Sequence, residues 1–383
     1  MRDLLIKRNK KEPKYLNYLL IVWAILLILA VTVTLLTPKT VKNRYYDLQI
    51  EASNLAEKAM NKIKEKKQEL NIPMSEKDIY ESGMIGGPHA PKEWYFPGMG
   101  IITTEGVLSA KRTAVNPNFA AVYIDMFKEA GLKENDQIAI ITSGSFPTLN
   151  ISALAAAQTF GLEVCLMSSI GASTYGATDV EFTFFDMAEY LYHEGIIKYR
   201  IDYVSFGGAN DDGKEFDKDI YNQIKQRIDE SGIPFLQESN FTKNVQKRTE
   251  LILQKCPNTK LLISVGGTLV AMGEGNAVAS VYKGLVKPTY QNTHKNIDES
   301  KMGLLDTFLR KDIPVVQMLN IKGIALDYGI EYDPVDIPMI GTSDAYYETS
   351  YNLIAPILSI VISIGLLVFY FIYNKKTSDR RQS

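Results

Sequence analysis

The chain has little cysteine, little histidine and almost no net charge, and each shortage removes a class of function. Cys165 and Cys256 are the only two cysteines, too few for a disulfide framework or a cysteine-rich zinc site. Both read as thiols placed by packing. Of the three histidines, His89, His193 and His294, none lies in an obvious triad context, so a serine hydrolase would lack an evident base. A net charge of −2 with 22% charged residues argues against a nucleic-acid surface. No turn matches the dinucleotide fingerprint or the phosphate-binding loop with its lysine, and no cofactor is implied. Internal repeats and low-complexity linkers are also missing from the 383 residues, a length suited to one large or two modest domains plus tails.

What is present begins with two apolar runs at opposite ends. Residues 1–14 form a basic tail, with Arg2, Lys7, Arg8, Lys10, Lys11 and Lys14. Leu16 to Leu36 follows as an apolar run of about 20 residues, enough to cross the hydrocarbon core as one helix. It is long for a signal peptide, and LLTPKT is a poor cleavage site, so 15–37 reads as an uncleaved transmembrane helix. A second run, Leu353 to Tyr373, carries Pro356 and Gly365 and is followed by Lys375, Lys376, Arg380 and Arg381. Basic flanks stay in the cytoplasm. The expectation is therefore a cell-membrane protein with two passes, basic cytoplasmic tails at 1–14 and 374–383, and the middle of the chain outside. Tyr15, Tyr18, Tyr370 and Tyr373 stand where interfacial aromatics would anchor the ends.

Between the anchors, 38–80 is charged and helical in pattern, with Leu48, Ala52, Leu55, Ala59 and Ile63 on one side. It suits a stalk or a helix packed on the domain. Residues 81–345 then read as an extracytoplasmic α/β domain. Its opening is dense in Gly and Pro and irregular, and Asn116-Pro117 starts a helix that runs from Phe119 to Ala130. Ile138 to Ile141 is a doubly buried strand, SGSFP a tight turn, Pro147 a first-turn helix residue and Gly161 a helix stop. Strands are expected again at 162–167, 202–206, 261–265 and 314–319. Helices fall between them at 182–194, 215–231, 241–255 and 302–311, the first started by a Thr178/Glu181 capping box. This alternation predicts an α/β fold with a mostly parallel sheet and helices on both faces, flanked by two transmembrane helices.

Ligands of open α/β sheets bind beyond the carboxyl ends of the strands. Four Gly/Ser turns should collect there: TSGSFP, SSIGASTYG, SFGGANDDG and SVGGTLVAMG. Backbone N–H and hydroxyl donors from Ser143, Gly144, Ser145, Gly207, Gly208, Gly266, Gly267 and Thr268 would suit carboxylate or phosphate. Lys111 and Arg112 are either a solvated basic pair or a clamp for the same anion, with Asn116 nearby. Ser145 could be a nucleophile on a strand-turn-helix elbow, although Pro147 replaces the second glycine of the usual pattern. The acids Asp211, Asp212, Glu215, Asp217 and Asp219 lack the spacing of a calcium loop, and acids are expected at a helix start. No metal site is expected.

Taken together, TTEGVLSAKRTAVNPNFAA, AGLKENDQIAIITSGSFPTLN and VSFGGANDDG resemble the poly-gamma-glutamate system protein family. Members of that family accompany genes for poly-gamma-glutamate capsule synthesis and export in bacteria. The resemblance covers roughly Ser82 to Tyr332, and Lys111, Arg112, Asn116, Ser143, Gly144, Ser145 and Pro147 fall within the shared stretches. It implies a role in making, exporting or retaining an anionic glutamate polymer, with three versions of that role open. The domain could bind the polymer or its precursor, act on it as a hydrolase or transferase through Ser145, or serve as a scaffold for membrane subunits of the system. The family supplies no catalytic residue assignment.

Overall fold

The computed structural model describes residues 14–74, 82–86, 100–274, 282–289 and 298–379. The first thirteen residues, the last four, His89, His294 and most of the Gly/Pro-dense opening lie outside that set. In chain order the elements are α1 (Lys14–Leu36), β1 (Lys39–Lys42), α2 (Tyr46–Glu69), β2 (Ile102–Thr104), α3 (Leu108–Ala114), α4 (Phe119–Glu129), β3 (Gln137–Ser143) and α5 (Pro147–Phe160). Then come β4 (Glu163–Ser169), β5 (Ala172–Ser173), α6 (Phe184–His193), β6 (Tyr203–Ser205), α7 (Lys218–Ser231), α8 (Phe241–Lys255), β7 (Thr259–Val265) and α9 (Leu269–Met272). The series closes with β8 (Gly284–Val286), α10 (Leu304–Leu309), β9 (Val315–Met318), α11 (Ile321–Asp327), β10 (Tyr347–Ser350) and α12 (Ile354–Asp379).

These elements divide into two units, one made of both ends of the chain up to Lys42 and from Tyr347, the other of Asn43–Tyr346. In the terminal unit β1 pairs antiparallel with β10, Lys39 opposite Ser350 and Lys42 opposite Tyr347. The helices entering and leaving this ribbon lie together, and the Trp23 indole N–H donates to Ser363 Oγ. Within α12, Ile354–Ile372 has a mean hydropathy of 2.5 and is long and apolar enough to cross a membrane. The described apolar stretch of α1, Ile21–Leu36, is shorter. Pro356 does not interrupt α12, because it sits in the first turn, where no intrahelical donor is required. The helix also continues through Gly365.

The central unit is built on a six-stranded sheet in the order β6-β4-β3-β7-β9-β8, parallel except for β8, which runs antiparallel to β9. Period-two alternation makes each inner strand serve two cores. Ile138, Ile140, Leu261 and Ile263 face one, with α2, α4 and α5. Ala139, Ile141, Cys165, Met167 and Leu262 face the other, with α8 and α10. Helices therefore cover both faces, and the near-continuous apolar sequence of β3 follows from that. Helix α5 is apolar nearly all round and almost wholly buried; Pro147 starts it and Gly161, at φ 79°, ends it. The α2 segment is a packed helix: Ala52, Ala56, Ala59 and Ile63 are fully buried, and their spacing lays one face on the domain. Burying Ile63 alone is worth about 1.5–3 kcal/mol.

Several boundaries differ from the sequence expectation for identifiable reasons. Lys111 and Arg112 lie in a short helix of their own, α3, which was not expected. Helix α6 is started by Thr183 and Asp186 rather than Thr178 and Glu181: the Asp186 carboxylate accepts from the Thr183 N–H and hydroxyl, both at 2.8 Å. Asp217 caps α7, accepting from the Asp219 N–H at 2.9 Å, so that helix begins three residues later than its acidic lead-in suggested. Strand β8 was not expected, because three residues give no readable alternation. Cys165 and Cys256 are free and buried, and burial holds both thiols protonated, Cys256 up at about 11.

Candidate functional site

From β3 the chain moves outward to β4 and β6, then returns across β3 to add β7 and β9 on the other side. The order therefore switches between β3 and β7, and loops leaving those two strands must diverge and open a crevice. A cavity of about 890 Å³ occupies that place. Ser143 and Ser145 line it after β3, Ser169, Gly171 and Ser173 after β4, Gly207 and Gly208 after β6, and Gly267 and Thr268 after β7. The segment Ile102–Val107 with Ala110 forms a further wall. All four expected turns reach one site, and sequence reasoning missed the fifth contributor. That wall is set by β2, which pairs parallel with β5 and so lays Thr104 beside Ser173. No local pattern announces a three-residue strand pairing with a two-residue one.

Two glycines shape the floor without lining it. A Cβ on Gly144 would stand 2.9 Å from the Ile170 carbonyl oxygen and 2.8 Å from Ala172 Cβ, so only glycine lets the β3 and β4 turns pack. Gly266 has φ 92°, and a Cβ there would meet Ser143 Oγ at 2.6 Å. Thr268 Oγ1 is buried without a hydrogen-bond partner among the described residues. Ser145 Oγ accepts from the Ser173 N–H at 3.1 Å, which locks the first turn to the second.

The basic pair does not act as a pair. Arg112 forms a two-pronged ion pair with Asp333, Nε to Oδ1 and Nη2 to Oδ2 both at 2.6 Å, and tethers α3 to the chain after α11. Asn116 is buried, its Oδ1 accepting from the Asn118 N–H at 3.0 Å, and it supports the α4 start rather than the cavity. Lys111 turns inward and is 3% exposed. Its Nζ donates to the Ser145 carbonyl and to Ser173 Oγ at 2.7 Å, and lies 4.1 Å from the centre of the Phe146 ring. No carboxylate pairs with it among the described residues, and burial lowers its pKa from 10.5 to about 7. A periodicity argument could not find this, since an adjacent Lys-Arg pair reads as a surface feature.

The acidic run after β6 makes contacts within the domain, and Glu215 of that run also lines the cavity. Asp211 accepts from Arg248, from Ser205 Oγ at 2.7 Å and from Asn244 Nδ2 at 2.9 Å, a buried network in which Arg248 Nε also donates to Asn244 Oδ1 at 2.8 Å. Asp212 pairs with Lys214 at 2.6 Å, and Glu215 accepts the Ala209 N–H at 2.8 Å. Among the described residues no three His, Cys, Asp or Glu side chains form a group that could hold a metal. His193 lies at the exposed end of α6, 3.8 Å from Glu189, and does not line the cavity.

Fold and cavity define an α/β domain with a cavity at its strand-order switch point, lined by serine, threonine and glycine together with apolar side chains such as Phe146, Met272 and Leu319. Compared with protein-family models, with curated proteins and with solved structures, the chain matches none.

Proposed function

We propose that this is a membrane-anchored accessory protein of poly-gamma-glutamate synthesis or export, and that its extracytoplasmic α/β domain binds a segment of the polymer in the switch-point cavity. The observation that carries the reading is convergence. The stretches Thr103–Ala121, Ala130–Asn150 and Val204–Gly213, which resemble the poly-gamma-glutamate system family, are separate in sequence, yet each contributes lining residues to one cavity. Hydroxyl and backbone donors there suit a chain of amides and carboxylates. With Arg112 committed to Asp333, recognition falls to these donors and to Lys214, which lines the cavity and pairs with Asp212, rather than to a Lys111/Arg112 clamp.

The two-pass topology is part of the same proposal. Pairing of β1 with β10 brings the C-terminal end of α1 and the N-terminal end of α12 together, which supports both chain termini leaving on one side of the bilayer. Basic residues beyond both helices favour that side being the cytoplasm. Partners on this reading are the lipid bilayer, the polymer or its precursor, and membrane subunits of the synthesis and export system. Full-length protein in nanodiscs should bind a γ-linked glutamate oligomer. Ala209→Trp, which places an indole at the exposed cavity rim, should weaken binding at least tenfold without lowering the thermal midpoint. A parent chain that captures export subunits but shows no oligomer binding would replace this reading with the pure scaffold.

A further inference from the structure

An ammonium group buried without an acid partner is unfavourable, and such lysines are concentrated where the neutral amine does chemistry. Lys111 is such a side chain, and its position is specific. It lies behind the cavity wall rather than in it, and its Nζ meets Ser173 Oγ at 2.7 Å. Ser173 is on the lining side of that contact. We infer that Ser173 and Lys111 form a nucleophile and general-base pair for acyl transfer, with Ser173 Oγ presented to the cavity and Lys111 Nζ placed to take its proton.

The surroundings hold that pair in one geometry. Ser173 is fixed by the β5–β2 pairing and by its N–H donating to Ser145 Oγ. Lys111 is fixed by the Ser145 carbonyl, the Phe146 ring and Gly106, where a Cβ would come within 2.8 Å of its Cε. A neutral Nζ can keep one N–H on the Ser145 carbonyl while its lone pair faces Ser173. This moves the nucleophile from Ser145, whose Oγ is an acceptor for the Ser173 N–H, to Ser173. Ser145 retains a hydroxyl proton to donate toward a carbonyl oxygen.

The reaction balances with water alone. Ser173 Oγ bonds to a carbonyl carbon as its proton passes to Lys111 Nζ. The carbon–nitrogen bond then breaks, and the amine leaves with that proton. Water next attacks the acyl-serine, giving a proton to Lys111 Nζ, and the acyl–oxygen bond breaks as Lys111 returns that proton to Ser173 Oγ, which releases the acid and restores both groups. The substrate class, an amide of the γ-glutamyl kind, rests on the polymer reading above; the serine–lysine pair does not.

The test uses full-length protein in nanodiscs and a fluorophosphonate probe, in which Ser173 Oγ would displace fluoride from phosphorus. We expect one labelled peptide, carrying Ser173, with a labelling rate that rises with pH through about 7 and then levels. Lys111→Met, and Lys111→Arg, which keeps a charge but cannot accept a proton, should each slow labelling about 100-fold or more. Ser173→Ala should abolish labelling while keeping the parent's far-UV circular dichroism and thermal midpoint, which shows that the variant is folded. An unlabelled Ser173 in the parent, label on Ser145 instead, or a Lys111→Met rate within about twofold of the parent would each overturn the assignment. Absence of oligomer binding by the parent would overturn the polymer reading and leave a labelled Ser173 untouched.

Discussion

Replacing Lys111 by methionine should change stability by an amount that depends on pH, and the sign of the change should reverse. In the folded chain Lys111 loses its proton near pH 7, whereas an exposed lysine keeps it to about 10.5. Between those values the unfolded state binds more protons, so folding gains stability as pH rises. Below pH 7 both states are protonated and the folded state carries the full penalty, about 5 kcal/mol for a displacement of this size. Above 10.5 both are neutral and the penalty is gone. Methionine fits the apolar surroundings and never carries charge, but it loses the bonds to the Ser145 carbonyl and Ser173 Oγ, about 1 kcal/mol each. Lys111→Met should therefore be more stable than the parent at pH 6, by about 3 kcal/mol, and less stable at pH 10.5, by about 2 kcal/mol. Thermal unfolding of both full-length chains in the same mild detergent, from pH 6 to 10.5, reads this as a midpoint difference of about 2 °C per kcal/mol. A difference that stays constant across that range would show that Lys111 remains an ordinary, hydrated ammonium. It would also remove the chemical basis for its role as a base.

Other outcomes follow from the same contacts. Asp211→Ala leaves the Arg248 guanidinium buried without its carboxylate and should cost about 3–5 kcal/mol in an unfolding measurement; a cost under 1 kcal/mol would mean that water reaches the network. A double-mutant cycle on Arg112 and Asp333 should give a coupling of about 1–2 kcal/mol, since the pair is two-pronged but only partly shielded from water. Arg112→Ala should leave oligomer affinity within about twofold of the parent, where a polymer clamp would lose far more.

Much of the fold was legible because the strands of a covered parallel sheet are short, apolar and bounded by small residues. Gln137–Gly161 shows this: strand, turn and helix were all placed from Ile138–Ile141, Ser143–Ser145, Pro147 and Gly161. The four turns at the strand ends were legible for the same reason. Helix starts were read less well, since Thr178 and Thr183 offer similar local patterns and only the fit of Asp186 decides between them. Within the site, Ser143, Ser145, Gly207, Gly208, Gly267 and Thr268 were identified with the cavity they line, while Ser173 lay in the expected SSIGASTYG turn without being singled out.

The sequence by itself determined the period-two strands, the glycine and serine turns, and the apolar ends, because those properties depend on neighbours a few residues away. Tertiary structure alone decided what the charged residues do. Lys111 and Arg112 are adjacent in sequence and chemically alike, yet one is folded under Ser145 and Ser173 and the other is held by Asp333, more than two hundred positions further on. A charge takes its pKa and its purpose from desolvation and from partners, and both are supplied by segments that only folding brings together.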